Sequence, residues 1–493
     1  LIVQSPDWLH YQAEIHPQRE ALIFGQQRWT FAELDADVAR LAGILADWGI
    51  GLQHRVAYRL RRSPEQVMLA HALTRLGAVL VPLNTRLKPG ELEPIIQNAD
   101  PTLIVEDGSD FAWPDTGHRR IILEELMEGS LAQPLFTATL NFEDLHALVY
   151  TSGTTGTPKG VEITVGNQWW SAMGFGLNAG LEPHDRWLHI MPLFHVGGLT
   201  ILFRSVIHGS TVVLEEGFDQ VRTYDTLIRE RISLLSVVPT MVHRLLELDG
   251  DAPPHLRLAL LGGAPAAPAL IERAHQRGYR VVPTYGMTET CSQIVTLEES
   301  EWPKRAGSSG HPNLPVDVRI MKDNRPLPAG KVGEIWVRGP MVARGYWNNP
   351  QATRTTFHDG WLRTGDIGYL DPDGFLYVID RLRDMIIRGG ENIYPSEVEQ
   401  HLVGHPGVSD VAVFGVQDEE WGQRVAVAVV VSDPALTPKD LRNFLSNRLA
   451  SYKIPSIYYR VDAIPRNASG KILRATLRDQ TSAMTKWTEN HDL

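Results

Sequence analysis

From Tyr150 to Gly160 the chain reads YTSGTTGTPKG, a concentration of hydroxyls, glycines and one lysine at the end of the apolar HALVY. Such a segment suits a loop that holds a nucleotide triphosphate. Gly153 and Gly156 let the backbone turn its N–H groups toward anionic oxygens, Thr151, Ser152, Thr154 and Thr155 supply further donors, and Lys159 supplies a cation. It is not a Walker A loop, because Pro158 stands where that pattern needs its second glycine. The plainer alternative is a Ser/Thr/Gly-rich surface turn.

Further segments carry chemistry-bearing residues: MPLFHVGG at 191 to 198, LLGGAP at 260 to 265, YGMTET at 285 to 290, GWLRTGDIGYLDPDGFLYVIDR at 360 to 381, and PRNASGK at 465 to 471. Together with the first loop, and in this order, they resemble the signatures of the adenylate-forming superfamily, which includes acyl-CoA synthetases, nonribosomal peptide adenylation domains and beetle luciferases. TETCSQI narrows the resemblance to the menaquinone-biosynthesis branch. The resemblance implies a ligase that activates a carboxylic acid with ATP and Mg²⁺ and passes the acyl group to CoA. The alternatives are another aryl- or acyl-CoA synthetase and a stand-alone adenylation module that loads a carrier protein.

Activating a carboxylate with ATP brings two anions together, expels pyrophosphate and requires shielding of the acyl-adenylate, so cations and donors must face phosphate. Tyr285 offers a flat face for adenine, Thr288 a hydroxyl for the α-phosphate, and Glu289 a hard oxygen for Mg²⁺. Asp366 suits both ribose hydroxyls because one carboxylate can accept from two donors, with Arg381 helping from the far side. Gly262, Gly263 and Ala264 follow the strand-like LALL and read as a wall of the adenine and acyl pocket; a tight strand-to-helix turn explains the glycines equally well.

By resemblance, Lys471 is the lysine that stabilises charge as the carboxylate attacks the α-phosphorus. Thioester formation would then use another face of a mobile C-terminal domain, where Gly389 and Gly390 admit the pantetheine arm. Trp421 could stack on the CoA adenine, with core or interface packing as the ordinary alternative. Arg383 stands where the family usually has Asp or Lys at the pivot, and Arg388 is basic where close relatives often carry Ser.

Acid selection rests on VGGLTILFRSVIHG after His195. On a helix, Gly197, Ile201 and Arg204 share a face. Gly197 leaves space, and Arg204 closes it with a cation suited to a carboxylate. o-Succinylbenzoate keeps a second carboxylate after the first is adenylated, whereas a fatty acid has no use for that charge. Pairing of Arg204 with a structural acid is the competing explanation. Ser292 and Gln293 are further polar contacts to an aromatic acid.

These residues need a scaffold. HRVAYRL, GAVLVPLN, PTLIVED, DRWLHIMPL, STVVLEEG, ISLLSVVPT and RLALLGG read as short buried strands, with helical runs such as SPEQVMLAHALTRLG between them. That alternation predicts an α/β fold: a large N-terminal domain, 1–380, with mostly parallel sheets and a small β subdomain around 316 to 347. A smaller α+β C-terminal domain, 381–493, follows, containing SDVAVFGV, RVAVAVVVS and TPKDLRNFLSNRLA. With 493 residues, 43% hydrophobic and 21% charged, the chain can bury substantial cores. Its net charge of −11 argues against a general nucleic-acid or membrane surface. No apolar run nears the ~20 residues that span a bilayer, and no basic-plus-apolar leader opens the sequence. The one cysteine, Cys291, excludes an intramolecular disulfide and a cysteine-rich metal site and suits the reducing cytosol. The expected partners are an aromatic carboxylic acid, ATP and CoA; a homodimer is among the assemblies the sequence allows.

Overall fold

A computed structural model of the chain describes residues 3–109, 111–128, 133–136, 139–151, 158–180, 182, 184–264, 266–382, 384–388, 391–418, 421–446, 448–467 and 470–487. They form two compact units, residues 1–318 with 337–362, and residues 319–336 with 363–493.

Two sheets organise the first unit. One has the strand order Lys159–Thr164, Leu145–Thr151, Val79–Pro82, Arg55–Arg59, Leu103–Glu106, Arg120–Ile122. The pairings from Leu145–Thr151 onward are parallel, and Lys159–Thr164 closes the edge as an antiparallel return. The second runs His311–Pro312, Ser292–Thr296, Val281–Met287, Leu258–Leu261, Leu234–Val237, Arg186–His189, Thr211–Leu214, Glu20–Phe24, Gln27–Thr30. Its centre, from Val281–Met287 to Glu20–Phe24, is parallel throughout. The predicted strands therefore form, and their near-continuous apolar runs reflect burial on both faces. The predicted helix over SPEQVMLAHALTRLG spans Pro64–Arg75, opened by Ser63, whose Oγ accepts from Gln66 N, and by Pro64 in its first turn.

The strands around 316 to 347 expected to form a β subdomain are Asp317–Lys322 and Gly333–Arg338, which lie mostly in the second unit, in a sheet that also holds Trp361–Leu370 and Leu376–Arg381. A five-stranded sheet follows, built on the long hairpin Val408–Asp418 and Gly422–Val431. Alternation along RVAVAVVVS feeds two cores: Val425, Val427 and Val429 pack with Val398, Leu441 and Leu445, while Ala426 and Ala428 pack with Phe414, Tyr459 and Leu477. Among the described residues no helix is long and apolar enough to cross a membrane.

Burial carries a consequence for acid stability. Desolvation pushes His71 down to about 4, His146 and His189 to about 3, and His195 and His208 to about 4. In the unfolded chain these groups titrate near 6.5. Between about pH 6.5 and 4 the unfolded state binds protons that the folded state refuses, so stability is complete above 6.5 and falls with pH, by up to about 1.4 kcal/mol per pH unit for each histidine. Denaturant midpoints measured from pH 8 to 4.5 should be flat at the top and drop steeply below 6.5; a level profile would refute neutral burial.

Candidate functional site

Two helices of the first unit frame an unusual cation. Val165–Ala179 opens at Thr164, whose Oγ1 accepts from Asn167 N at 3.1 Å while Asn167 Oδ1 accepts from Thr164 N at 2.9 Å. Val196–His208 forms where the sequence predicts a helix after His195, and it ends at Gly209 in the left-handed region, φ 70°. His208 Nε2 lies 3.0 Å from Ala172 O and ties the two together.

Arg204, on the second helix, is only 2% exposed. Its Nη1 donates to Gln293 Oε1 at 2.8 Å, its Nη2 donates to Ser171 Oγ at 2.7 Å, and the guanidinium lies 5.2 Å from the Phe175 ring centroid. Ser171 Oγ in turn donates to Cys291 O at 2.6 Å. Arg204 Nε is buried without a hydrogen-bond partner. No carboxylate pairs with Arg204 among the described residues, so none of them is the structural acid of the competing explanation. Desolvation draws its pKa down to about 10, which still leaves it charged at neutral pH. A buried cation held only by neutral acceptors is costly unless an anion joins it.

Gly197, about two turns back on the same helix face, has open space where a Cβ would stand. His195 heads the helix with its Nε2 buried and unpartnered. Desolvation, aided by Arg86, keeps its imidazole neutral. It can therefore offer a neutral hydrogen bond but no positive charge.

The strand Val281–Met287 brings Tyr285 to a tight turn, Thr288–Thr290, from which Ser292–Thr296 returns antiparallel. Gly286 faces Gln293 so closely that a Cβ would lie 2.1 Å from Ser292 O. This close approach places Ser292 and Gln293 beside the Tyr285 strand, and Gln293 reaches Arg204. Gly262, Gly263 and Ala264 follow the neighbouring parallel strand Leu258–Leu261; Gly262 N donates to Val237 O, and a Cβ on Gly262 would lie 2.8 Å from Thr284 Oγ1.

Glu289 is 7% exposed, and its Oε1 accepts from Tyr346 Oη at 2.7 Å. Lys159 Nζ lies 5.0 Å from the Tyr346 ring centroid, and Lys159 faces Thr151 across the hairpin. Tyr346 thus joins the flank of the 150–160 loop to Glu289. Among the described residues no group of three His, Cys, Asp or Glu side chains could hold a metal ion. A magnesium ion at Glu289 fits this donor set only if phosphate and water complete its shell, which is how Mg²⁺ is commonly bound.

In the second unit Asp366 and Arg381 are cross-strand partners, with Arg381 Nε 2.5 Å from Asp366 Oδ1. Strand register thus seats Arg381 on the carboxylate that the sequence reading assigns to the ribose hydroxyls. Lys471 closes a small turn: its N donates to Asn467 Oδ1 at 2.8 Å and its O accepts from Asn467 N at 2.9 Å. Trp421 is 42% exposed with the Arg388 guanidinium 5.4 Å from its ring centroid, so core packing does not explain it. Arg388 Nη1 also donates to Tyr452 O at 2.9 Å.

The family model for the AMP-binding enzyme matches residues 9–347, and that for the AMP-binding enzyme C-terminal domain matches 397–471. The chain is a member of the AMP-binding enzyme family. It is 40% identical over 479 residues to the 2-succinylbenzoate–CoA ligase of Bacillus licheniformis, covering 97% of this chain and 100% of that one. The ligase of the same name from Geobacillus kaustophilus is 42% identical, with 96% and 97% covered. The o-succinylbenzoate CoA synthetase of Bacillus subtilis, solved with the acyl-adenylate intermediate OSB-AMP, superposes with a TM-score of 0.94 at 40% identity, covering 99% of this chain and 100% of that chain. The same protein solved with ATP and a magnesium ion gives 0.93 at 40% identity, covering 97% and 100%.

In this AMP-binding enzyme the structure gathers two sets in the first unit: Arg204 with Gln293, and Glu289 with the Lys159 flank. Ser152, Gly153, Thr154, Thr155, Gly156, Arg383, Gly389 and Gly390 lie outside the described residues. Sequence reasoning did not single out Ser171 or Tyr346. For Tyr346 a signal existed in the aromatic pair of RGYW after a glycine, but nothing local points Ser171 at Arg204.

Proposed function

We propose that this AMP-binding enzyme is a 2-succinylbenzoate–CoA ligase serving menaquinone biosynthesis. A carboxylate oxygen of o-succinylbenzoate attacks the α-phosphorus of ATP, and the bond to the bridging oxygen breaks as pyrophosphate leaves. The sulfur of CoA then attacks the acyl carbonyl, and the mixed anhydride releases AMP. The observation that carries this reading is the buried Arg204, held by Gln293 and Ser171 with no carboxylate partner among the described residues. It recognises the carboxylate that is not activated. The names and near-complete coverage of the relatives support the same acid.

In this reading Tyr285 takes the adenine face against Gly262, Gly263 and Ala264, and Thr288 and the 151–159 loop donate to phosphate. Asp366 accepts from the ribose hydroxyls with Arg381 fixing its orientation. His195 and Ser292 border the acid. Lys471 supplies the cation for adenylation, Gly389 and Gly390 line the thiol path, and Trp421 stacks on CoA adenine. The segment 381–493 acts as a mobile domain, and the enzyme works in the cytosol, as a homodimer or alone. Bound magnesium would neutralise charge on the phosphates, with Glu289 as its protein ligand. Glu289→Gln keeps the shape and removes the anion, so adenylation should fall and the magnesium requirement should move to higher concentration. A wild-type magnesium titration in that variant would count against a ligand role.

A panel of aromatic and aliphatic acids assayed for ATP-to-AMP conversion, with and without CoA and without carrier protein, tests the function. o-Succinylbenzoate should be preferred and AMP release should require CoA. Turnover only with an added carrier protein would instead indicate a loading module.

A further inference from the structure

Arg62 belongs to none of the recognised signatures. It lies between the strand Arg55–Arg59 of one sheet and the helix Pro64–Arg75. From there it reaches the C-terminal ends of two strands of the other sheet. Its Nη1 donates to Glu215 O at 2.8 Å, just past Thr211–Leu214, and reaches His189 O at 3.5 Å, the last residue of Arg186–His189. Its Nη2 donates to Met191 O in a short contact. Among the described residues every acceptor is a main-chain carbonyl.

Those carbonyls flank the segment that delivers His195. The same segment is held at its other end: His189 Nε2 lies 2.9 Å from Gly198 O, and Gly198 packs so tightly on Pro192 that a Cβ would fall 2.2 Å from Pro192 O. His189 is fully buried and kept neutral, so its Nε2 carries the proton donated to Gly198 O. Residues 189–198 are therefore clamped by a guanidinium at the start and an imidazole at the end. Ligands of open α/β sheets bind at the carboxyl ends of strands, where this clamp sits.

We propose that Arg62 is a positioning residue for acid activation: its fork fixes the 189–195 segment, and with it His195 and the Gly197 space, against the substrate acid. The inference rests on the adenylating function proposed above. A planar fork can serve several divergent carbonyls at once, whereas an ammonium offers one compact centre. Misplacing a substrate-bordering group by about 1 Å costs on the order of 100-fold in rate.

The test is o-succinylbenzoate-dependent ATP–pyrophosphate exchange by wild type, Arg62→Ala and Arg62→Lys, with nucleotide affinity measured separately by calorimetry. Exchange by the wild type establishes the parent reading, and its absence would defeat that reading regardless of Arg62. Given wild-type exchange, Arg62→Ala should lose about 10- to 100-fold in kcat/KM for the acid. Its affinity for ATP should change by less than about 3-fold, on the same scale of misplacement confined to the acid end. Millimolar guanidinium should restore much of the loss, which a general loss of stability would not allow. If Arg62→Ala does not fold, Arg62→Lys decides: it keeps charge and stem and should still show a loss of several-fold in the acid term. Wild-type kinetics in Arg62→Lys, or an Arg62→Ala defect that guanidinium leaves unchanged, would overturn the assignment.

Discussion

Replacing Lys471 with alanine is expected to slow formation of the acyl-adenylate by about 10² to 10³, the equivalent of about 2.7 to 4 kcal/mol for a lost group aimed at developing charge. The turn that presents it should survive. Its closure depends on the backbone of residue 471 and the side chain of Asn467, on Gly470 N donating to Asn467 O at 2.9 Å, and on Arg466 anchoring to Asp410 at 2.7 Å. None of these uses the lysine ammonium. The second half-reaction, from supplied acyl-adenylate and CoA to thioester, should run near the wild-type rate, because the proposed function assigns it to the Gly389 and Gly390 segment and not to Lys471. Equal losses in both half-reactions, on a variant shown to be folded, would end this division of labour.

Arg204→Ala is expected to raise KM for o-succinylbenzoate by about 10- to 150-fold, as loss of a charge-assisted contact worth about 1.5 to 3 kcal/mol implies, with little change in KM for ATP. Truncation also leaves Ser171 and Gln293 without their donor and opens a space beside Phe175. Arg204→Met fills that space without charge, so its KM should rise to a similar extent if recognition, and not packing, is what Arg204 provides. An unchanged acid KM in both variants would sink the assignment.

The strands, the Val196–His208 helix and the order of the motifs were readable along the chain because each depends on neighbours in sequence. Alternation in RVAVAVVVS specifies two buried faces, and LALL followed by two glycines specifies a strand end. What escaped notice are contacts made across sequence distance. Ser171 lies 33 positions from Arg204, Tyr346 lies 57 from Glu289, and Arg62 lies 153 from Glu215. No local periodicity encodes those pairings. Exposure was also beyond local reading: Trp421 has the composition of a core residue, yet it stands at a surface beside Arg388. The contact of Arg381 with Asp366 follows from register across the hairpin Trp361–Leu370 and Leu376–Arg381.

The central claim is that the buried Arg204, held by the neutral acceptors Gln293 and Ser171, selects a second carboxylate in an adenylating site. It is tested most directly by comparing kcat/KM for o-succinylbenzoate with that for its analogue carrying a carboxamide in place of the carboxylate that is not activated, in wild type and in Arg204→Met. The wild type should prefer the dicarboxylate by about 10- to 150-fold, and the variant should treat the two acids nearly alike. An undiminished preference in Arg204→Met, or none in the wild type, would contradict the account.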